Sequence, residues 1–339
     1  MARPQPHVSV SVGDPMPRIT LPLASGRLFD SWDPAICGLA MAFWLGAPPE
    51  ATVAAQLADT LAACETLLYL VAAALPGIAA DAASSLLDRT NELGRAFGGN
   101  GSLAILVDSA GRVAALLPTP TPDDVAALAT QLYRATTPAV VQAQAPVLLL
   151  ERVIEPALCQ TLIEYWQRGD KLANEVGSAN GNIVKAEVKR RLDVPLDNAK
   201  LFRQLRDCLV RRVAPAISQA FHTHTMVIEA PHIGCYDAAF GGWFRRHRDN
   251  TSSQTAHRQF AVSVNLNAGD EYDGGELRFP EFGRELYRPA TGAALVFSSA
   301  LLHEVIPMTR GRRFGVFTFM SASGPALMSG PPARRFPAR

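Results

Sequence analysis

The sequence predicts an α+β chain of two domains: an α/β domain first, then a β-sandwich or jelly roll with supporting helices. Three observations carry this expectation. The 339 residues correspond to about two domains at ~150 residues each. The composition, 48% hydrophobic and 19% charged, fills sizeable cores and excludes a disordered or fibrous chain. Up to about residue 135 continuous apolar runs alternate with helical patterns, whereas from Met226 short strands are separated by glycine-rich turns.

The elements follow from these patterns in order. Residues 39–45 (LAMAFWL) read as a buried strand, 52–68 as an Ala/Leu helix, and 103–107 (LAILV) as a second strand. A turn over 108–111 leads to a third strand from Val113. Asp123 and Asp124 stand where a first helical turn favours acids, ahead of a helix ending near Tyr133. Residues 135–146 (ATTPAVVQAQAP) are small, polar and proline-bounded, which suits a linker. Beyond it, 147–150 reads as a strand, 155–167 as a helix with Pro156 in its first turn, and 198–221 as a second long helix. Short strands are expected at 228–235, 260–266, 277–279, 293–297, 304–306 and 314–320. The basic, proline-rich end, residues 324–339, is expected to be a mobile tail.

Charge and cysteine usage narrow the compartment and the partners. The net charge of +1 hides a division into −5 over residues 1–139 and +6 over the remainder. Only 4 of the 32 basic residues are lysine, and arginine beside abundant alanine reads as codon bias, so no nucleic-acid partner is expected. The charge-free stretch between Glu65 and Asp81 has 15 residues and contains Pro76, below the ~20 apolar residues of a bilayer span. It is read as soluble helix, and no membrane partner is expected. The start, MARPQPHVSVSVGDP, has no apolar core of a signal peptide, and five cysteines without a CxxC pair exclude a disulfide framework or a zinc knuckle. A reducing cytoplasm is the expected compartment.

The chemistry concentrates in residues 241–250 (GGWFRRHRDN). If 244–249 is extended, His247 and Asp249 project from one face with Arg248 opposite. His303, in LLHEVIP, lies 56 residues downstream at the start of another strand. Two imidazoles and one carboxylate on a rigid sheet occupy one face of an octahedron and leave the other open, the facial triad of non-haem Fe(II) sites. Arg313, ten residues after His303, can be turned back along a neighbouring strand by Thr309-Arg310-Gly311, where its guanidinium could hold a carboxylate bidentately. Tyr236, upstream, offers a hydroxyl to the same ligand.

Residues 147–323 resemble the prolyl-4-hydroxylase-type group of 2-oxoglutarate/Fe(II) dioxygenases. The segments GCYDAAFGGWFRRHRDN, RQFAVSVNLN, YDGGELRFPEFG and FSSALLHEVIPMTRGRR stand in that family's order and spacing. The resemblance implies a double-stranded β-helix (jelly roll), with His247, Asp249 and His303 as catalytic iron ligands. It implies Arg313 as partner of the 2-oxoglutarate C5 carboxylate, with Arg312 next door as the alternative, and Tyr236 as a secondary contact. It further implies Fe(II), 2-oxoglutarate and O2 as cofactors, ascorbate as a supporting reductant, and hydroxylation of a C–H bond with release of succinate and CO2. The implied substrate is a prolyl or other amino-acid or peptide group. A free small molecule, a cupin-like enzyme with another metal, and a silent binding protein on the same fold are the alternatives.

Residues 1–135 resemble the thioredoxin-like fold in its peroxiredoxin form, on VGDPMPRITLPLASGR, a strand ending in FW, and LAILVDSAGRV. Where those enzymes carry a peroxidatic cysteine this chain has GAPPEA, residues 46–51, and Gly101-Ser102 replace the proline before the LAILV strand. Cys37 precedes the first core strand and Cys64 falls late in the helix, so the resemblance implies a degenerate domain without thiol peroxidase activity. Such a domain can dock a protein substrate or support dimerisation.

Other polar residues have plainer readings. His222 and His224 end a helix, where an imidazole favours the C-terminal dipole, and His232 and His257 stay unassigned. Gly274-Gly275 makes a tight turn between strands. Arg245, Arg246 and Arg248 are either a solvated strand face or a steering patch for anions. Asn250 and Arg258 are within sequence reach of the pocket, and Lys189–Asp193 is either a substrate lid or an exposed edge strand.

Overall fold

The computed structural model describes residues 9–73, 84–98, 101–133, 140–141, 143–173, 175–178, 181–184, 187–223 and 227–322. The chain divides into two compact units, Met1–Ala139 and Val140–Arg339. Both combine helices and sheets. Residues 135–139 and 142 of the expected linker, and the expected tail over 324–339, lie outside the described residues.

The first unit runs β1 (Thr20–Pro22), β2 (Leu28–Asp30), β3 (Ala40–Leu45), α1 (Ala51–Ala62), β4 (Thr66–Ala72), β5 (Ser84–Leu87), α2 (Glu92–Phe97), β6 (Leu103–Val107), β7 (Val113–Pro118) and α3 (Pro122–Leu132). β1 and β2 form an antiparallel pair. The main sheet has the order β5-β4-β3-β6-β7. Its β5-β4-β3 half is parallel and its β3-β6-β7 half antiparallel. Alternate residues of β3 serve opposite faces: Met41, Phe43 and Leu45 pack with the β1-β2 pair and α2, while Ala42 and Trp44 pack with α1 and α3. A strand buried on both faces reads as a continuous apolar run.

That same property explains a correction. The helix expected over 52–68 ends at Ala62, and the stretch read as soluble helix begins with β4. Tyr69 and Val71 face one side of the sheet and Leu68 and Leu70 the other, a pattern whose unbroken apolarity hides its period of two. α3 starts on a reciprocal cap, with the Thr121 hydroxyl accepting from the Asp124 N–H and the Asp124 carboxylate accepting from the Thr121 N–H.

The second unit runs β8 (Val147–Leu150), α4 (Pro156–Arg168), β9 (Leu172–Ala173), β10 (Glu175–Ser178), β11 (Gly181–Val184), β12 (Lys189–Arg190), β13 (Leu192–Pro195), α5 (Ala199–Arg212), α6 (Ala214–Phe221), β14 (Val227–Ile228), β15 (His232–Asp237), β16 (Trp243–His247), β17 (Phe260–Asn265), β18 (Leu277–Arg278), β19 (Leu286–Tyr287), β20 (Ala294–Ser298), β21 (His303–Val305) and β22 (Arg312–Ser321). The single helix expected over 198–221 is two, meeting at Val213. Pro215 in the first turn of α6 has no N–H to donate back into α5. No helix among the described residues is long and apolar enough to cross a membrane.

Two large antiparallel sheets build the core of this unit, and β10 and β11 form a separate antiparallel pair. The larger has the order β8-β20-β17-β22-β15-β13-β9 with β14 paired to β22, and the smaller β12-β16-β21-β18-β19. One face of the larger sheet buries Ile233, Val262, Val264, Val296 and Val316 against α4, α5 and α6. Its other face, through Ala261, Leu295 and Phe297, shares a core with Leu277 and Val305 of the smaller sheet. Because side chains alternate along β17 and β22, Ser263, Asn265 and Arg313 fall on the face opposite Val262, Val264, Phe314 and Val316.

Candidate metal centre and anion cradle

His247 ends β16 and His303 begins β21, and the antiparallel register sets the two residues directly opposite one another. Their ring centroids are 4.2 Å apart. β16 stops at His247, so Asp249 is not part of an extended 244–249 strand. It sits in a turn whose backbone N–H donates to the Ser299 carbonyl at 2.9 Å, and its side chain still reaches both imidazoles. His247 Nε2 lies 3.3 Å from Asp249 Oδ1 and His303 Nε2 3.5 Å from Asp249 Oδ2. One ligand atom from each of the three residues falls within 4.8 Å of the others.

The rings are aimed from behind. Nδ1 of His247 meets the Arg245 carbonyl at 2.7 Å and Nδ1 of His303 meets the Leu301 carbonyl at 3.0 Å. A carbonyl can only accept, so each Nδ1 carries a hydrogen and each Nε2 is turned toward Asp249, the ring orientation in which a histidine presents Nε2 to a metal. Phe244 stacks on His247 with centroids 3.6 Å apart, and Phe297 meets His303 edge-on at 4.7 Å. Burial pushes the His303 imidazole down to about 4, so that it is neutral at neutral pH. Burial alone would raise the Asp249 carboxyl, but His303 and His247 outweigh it and hold it below the usual carboxylate range. Two imidazoles and one carboxylate are a donor set suited to a divalent first-row metal. Arg248 ties this turn down by donating to Glu281 Oε1 at 2.6 Å and to the Ala300 carbonyl.

A cavity of about 100 Å³ opens beside the triad, lined by Tyr236, Phe244, Ser263, Phe297, Phe317 and Arg191 among others. Arg313, only 1% exposed, donates from Nη2 to the Ser263 hydroxyl at 3.2 Å, from Nη1 to the Gly275 carbonyl at 2.5 Å and from Nε to Asn265 Oδ1 at 3.5 Å. All three partners are neutral. A buried guanidinium with no carboxylate among the described residues is costly unless an anion completes it. The adjacent arginines differ in face: Arg312 donates to the Asp237 carboxylate at 2.7 Å and stays exposed, whereas Arg313 turns inward. Tyr236 is the register partner of Arg313 across β15 and β22 and lines the cavity. Burial raises its phenol, which keeps it a neutral hydrogen-bond donor.

The other predicted positions sort as follows. Gly275, at φ +76, does not make a tight turn between strands but lies against the cradle, where a Cβ would meet Met308 Sδ at 2.6 Å and Arg313 Cδ at 3.1 Å. Arg258 is spent on Glu229 at 2.8 Å and lies over the Phe319 ring. His257 also pairs with Glu229, whereas His232 lines the cavity. Arg246 and Arg278 share Glu304, and Arg245 lies over Trp243. His222 caps α6 and His224 lies outside the described residues. Of the two readings of Lys189–Asp193, the edge strand holds for β12, which borders the smaller sheet with Arg190 exposed, although Lys189 and Asp193 are buried and paired at 2.6 Å. Sequence reasoning missed Ser263, Asn265, Gly275 and Arg191; the alternation S-V-N after Val262 was the available signal for the first two.

Residues 231–321 match the model of the 2OG-Fe(II) oxygenase superfamily. A PKHD-type hydroxylase of Stutzerimonas stutzeri strain A1501 is 32% identical over 131 residues, covering 34% of this chain and 57% of that protein. A PKHD-type hydroxylase of Acidovorax ebreus strain TPSY is 30% identical over 162 residues, 45% of this chain and 69% of that protein. The chain thus spans between about half and two thirds of the length of these curated relatives. Among solved structures, a prolyl-4-hydroxylase of Pseudomonas putida is 20% identical with a TM-score of 0.43, covering 53% of this chain and 95% of that one.

Proposed function

We propose that this chain, which belongs to the 2OG-Fe(II) oxygenase superfamily, is a 2-oxoglutarate- and O2-dependent hydroxylase whose iron ligands are His247, Asp249 and His303. The carrying observation is the convergence of Nε2, Nε2 and carboxylate within 4.8 Å beside a buried guanidinium with only neutral partners. Iron(II) with 2-oxoglutarate and oxygen supplies the oxidising power that hydroxylates a C–H bond and releases succinate and CO2. The chain's own residues bind, orient and keep the site dry. The Arg245 and Leu301 carbonyls fix both imidazoles as acceptors toward the metal, and Arg313 would receive the C5 carboxylate while Tyr236 donates to the same group. Phe244, Phe297, Phe317 and Val305 line the cavity and exclude water.

The substrate C–H bond would reach the metal through a cavity walled by Phe244, Phe297 and Phe317, which we read as suited to a prolyl or other amino-acid side chain presented by a peptide. Two facing antiparallel sheets with helices on one side support a double-stranded β-helix for residues 147–323. For residues 1–135, the order β5-β4-β3-β6-β7, with α1 between the parallel strands β3 and β4, supports a thioredoxin-like fold. Residues 46–51, between β3 and α1, contain no cysteine, so we read that domain as a docking or dimerisation module without thiol chemistry.

The test is succinate formation by the full chain with Fe(II), 2-oxoglutarate, ascorbate and a peptide extract, with mass spectrometry of the products. Succinate together with peptides heavier by one oxygen is the expected result. Turnover that ignores 2-oxoglutarate would point to a cupin-like metal site, and absence of decarboxylation with every substrate to a binding protein.

A further inference from the structure

Arg191 lies where the chain passes from one sheet to the other. Lys189 and Arg190 pair with Phe244 and Trp243 in the smaller sheet, and Leu192 pairs with Cys235 in the larger. At this crossover the Arg191 side chain is 10% exposed and lines the same cavity as the triad. Its Nε and Nη2 donate to the Asp193 carboxylate at 2.6 and 3.0 Å, and Lys189 Nζ reaches the same carboxylate at 2.6 Å. The fork is thus held rigidly, with its Cζ 3.9 Å from the Phe317 ring centroid.

Nη1 then donates to the Tyr236 hydroxyl at 3.3 Å. A guanidinium has five donors and no acceptor, so the phenolic oxygen accepts and its own hydrogen must point elsewhere. Among the described residues the Tyr236 hydroxyl donates to no protein acceptor, and the residue is only 1% exposed. We infer that Arg191 is a positioning residue, occupying the Tyr236 oxygen so that the phenolic hydrogen is aimed into the cavity at the carboxylate of a bound keto-diacid. This rests on the reading of the cavity as a 2-oxoglutarate site. Arg313 supplies charge to that carboxylate and Tyr236 a directed neutral donor, with Arg191 acting through Tyr236 rather than on the ligand. Burial keeps the phenol protonated and so able to donate.

The experiment measures equilibrium binding of 2-oxoglutarate to the manganese(II)-loaded full chain by calorimetry, without turnover, for wild type, R191Q, R191K, Y236F, R191Q/Y236F, R191K/Y236F and R313Q. R191Q and Y236F are each expected to raise Kd about tenfold, the loss of one directed hydrogen bond. The double variant should bind no more than about twofold worse than either single one, since both remove the same contact. R191K retains the charge and the Asp193 pairing without the fork, and should keep the defect in the wild-type background. If R191Q fails to fold, R191K with Y236F and their double carries the same comparison. Additive losses approaching a hundredfold in the double, or full rescue by lysine, would show direct attraction and overturn the positioning role while leaving the cosubstrate site intact. No binding by wild type, or no loss in R313Q, would overturn the cosubstrate site and this inference with it.

Discussion

The two units bury polar groups for opposite purposes. In the first, buried polar side chains satisfy backbone groups: Asp88 accepts from the Glu92 and Leu93 N–H groups at the start of α2, the Ser31 hydroxyl accepts from the Ile19 N–H, and Arg112 donates to the Gly13 carbonyl. In the second, Tyr236, Arg191, Asp249 and both triad histidines line one cavity, with Arg313 behind the Ser263 hydroxyl of its wall, and Arg313 and Tyr236 are satisfied only by groups that leave a charge or a donor uncommitted. Buried polarity alone does not mark a site. Nor does a lone unpaired hydroxyl such as that of Ser85; a buried charge left with neutral partners beside a cavity does, because in a low-dielectric interior that incompleteness costs stability that a ligand restores.

The hardest break of this contrast is to remove the triad. H247A, D249A and H303A are each expected to reduce 2-oxoglutarate-dependent succinate formation to background, with the secondary structure seen by circular dichroism unchanged. Next comes the arginine pair. R313Q removes a charge-assisted contact worth roughly 1.5–3 kcal/mol and is expected to weaken 2-oxoglutarate binding by roughly 10- to 150-fold, whereas R312Q, on the outer face, changes it less than about twofold.

The adjacent arginines also mark the limit of what the sequence conveys. The candidate set His247, Asp249, His303 and Arg313 was legible through four ordered sequence motifs, since a histidine or aspartate on a strand, or the HxD spacing alone, is more often structural. Which arginine faces inward depends on the register of β22 against β15 and β17, a long-range pairing that no local pattern fixes. The Gly275 carbonyl and the Arg191 fork were illegible for the same reason: their roles exist only once distant segments are brought together. β4 was missed because full burial erases the alternation that identifies a strand, while β3 and β6 were found because their runs are too short for helices. Asp249 shows the converse, since it reaches the metal site from a turn although the strand expected to carry it stops two residues earlier.

A third effect sharpens the contrast through pH. His303 has a folded-state value of about 4 against 6.5 for the free side chain. The unfolded chain therefore binds the proton first, and stability falls as pH drops from about 6.5 toward 4, with no contribution above that window. For metal-free protein the loss is on the order of 3 kcal/mol, read as a falling urea midpoint, and H303Q should flatten that part of the profile. The smallest effect concerns thiols. Burial pushes Cys159 and Cys235 up to about 12, so neither should react with a disulfide reagent at pH 8 in the folded chain, while exposed Cys37 reacts at once. In the first unit a C64S change should leave hydrogen peroxide consumption at the level of buffer.

The most direct measurement is an anaerobic titration of the metal-free chain with Fe(II) at saturating 2-oxoglutarate, followed by visible absorption. One equivalent of iron should develop a weak charge-transfer band that is absent in H247A, D249A and H303A. A band of undiminished intensity in any two of those variants would contradict the assignment of the three residues as the ligands of the metal.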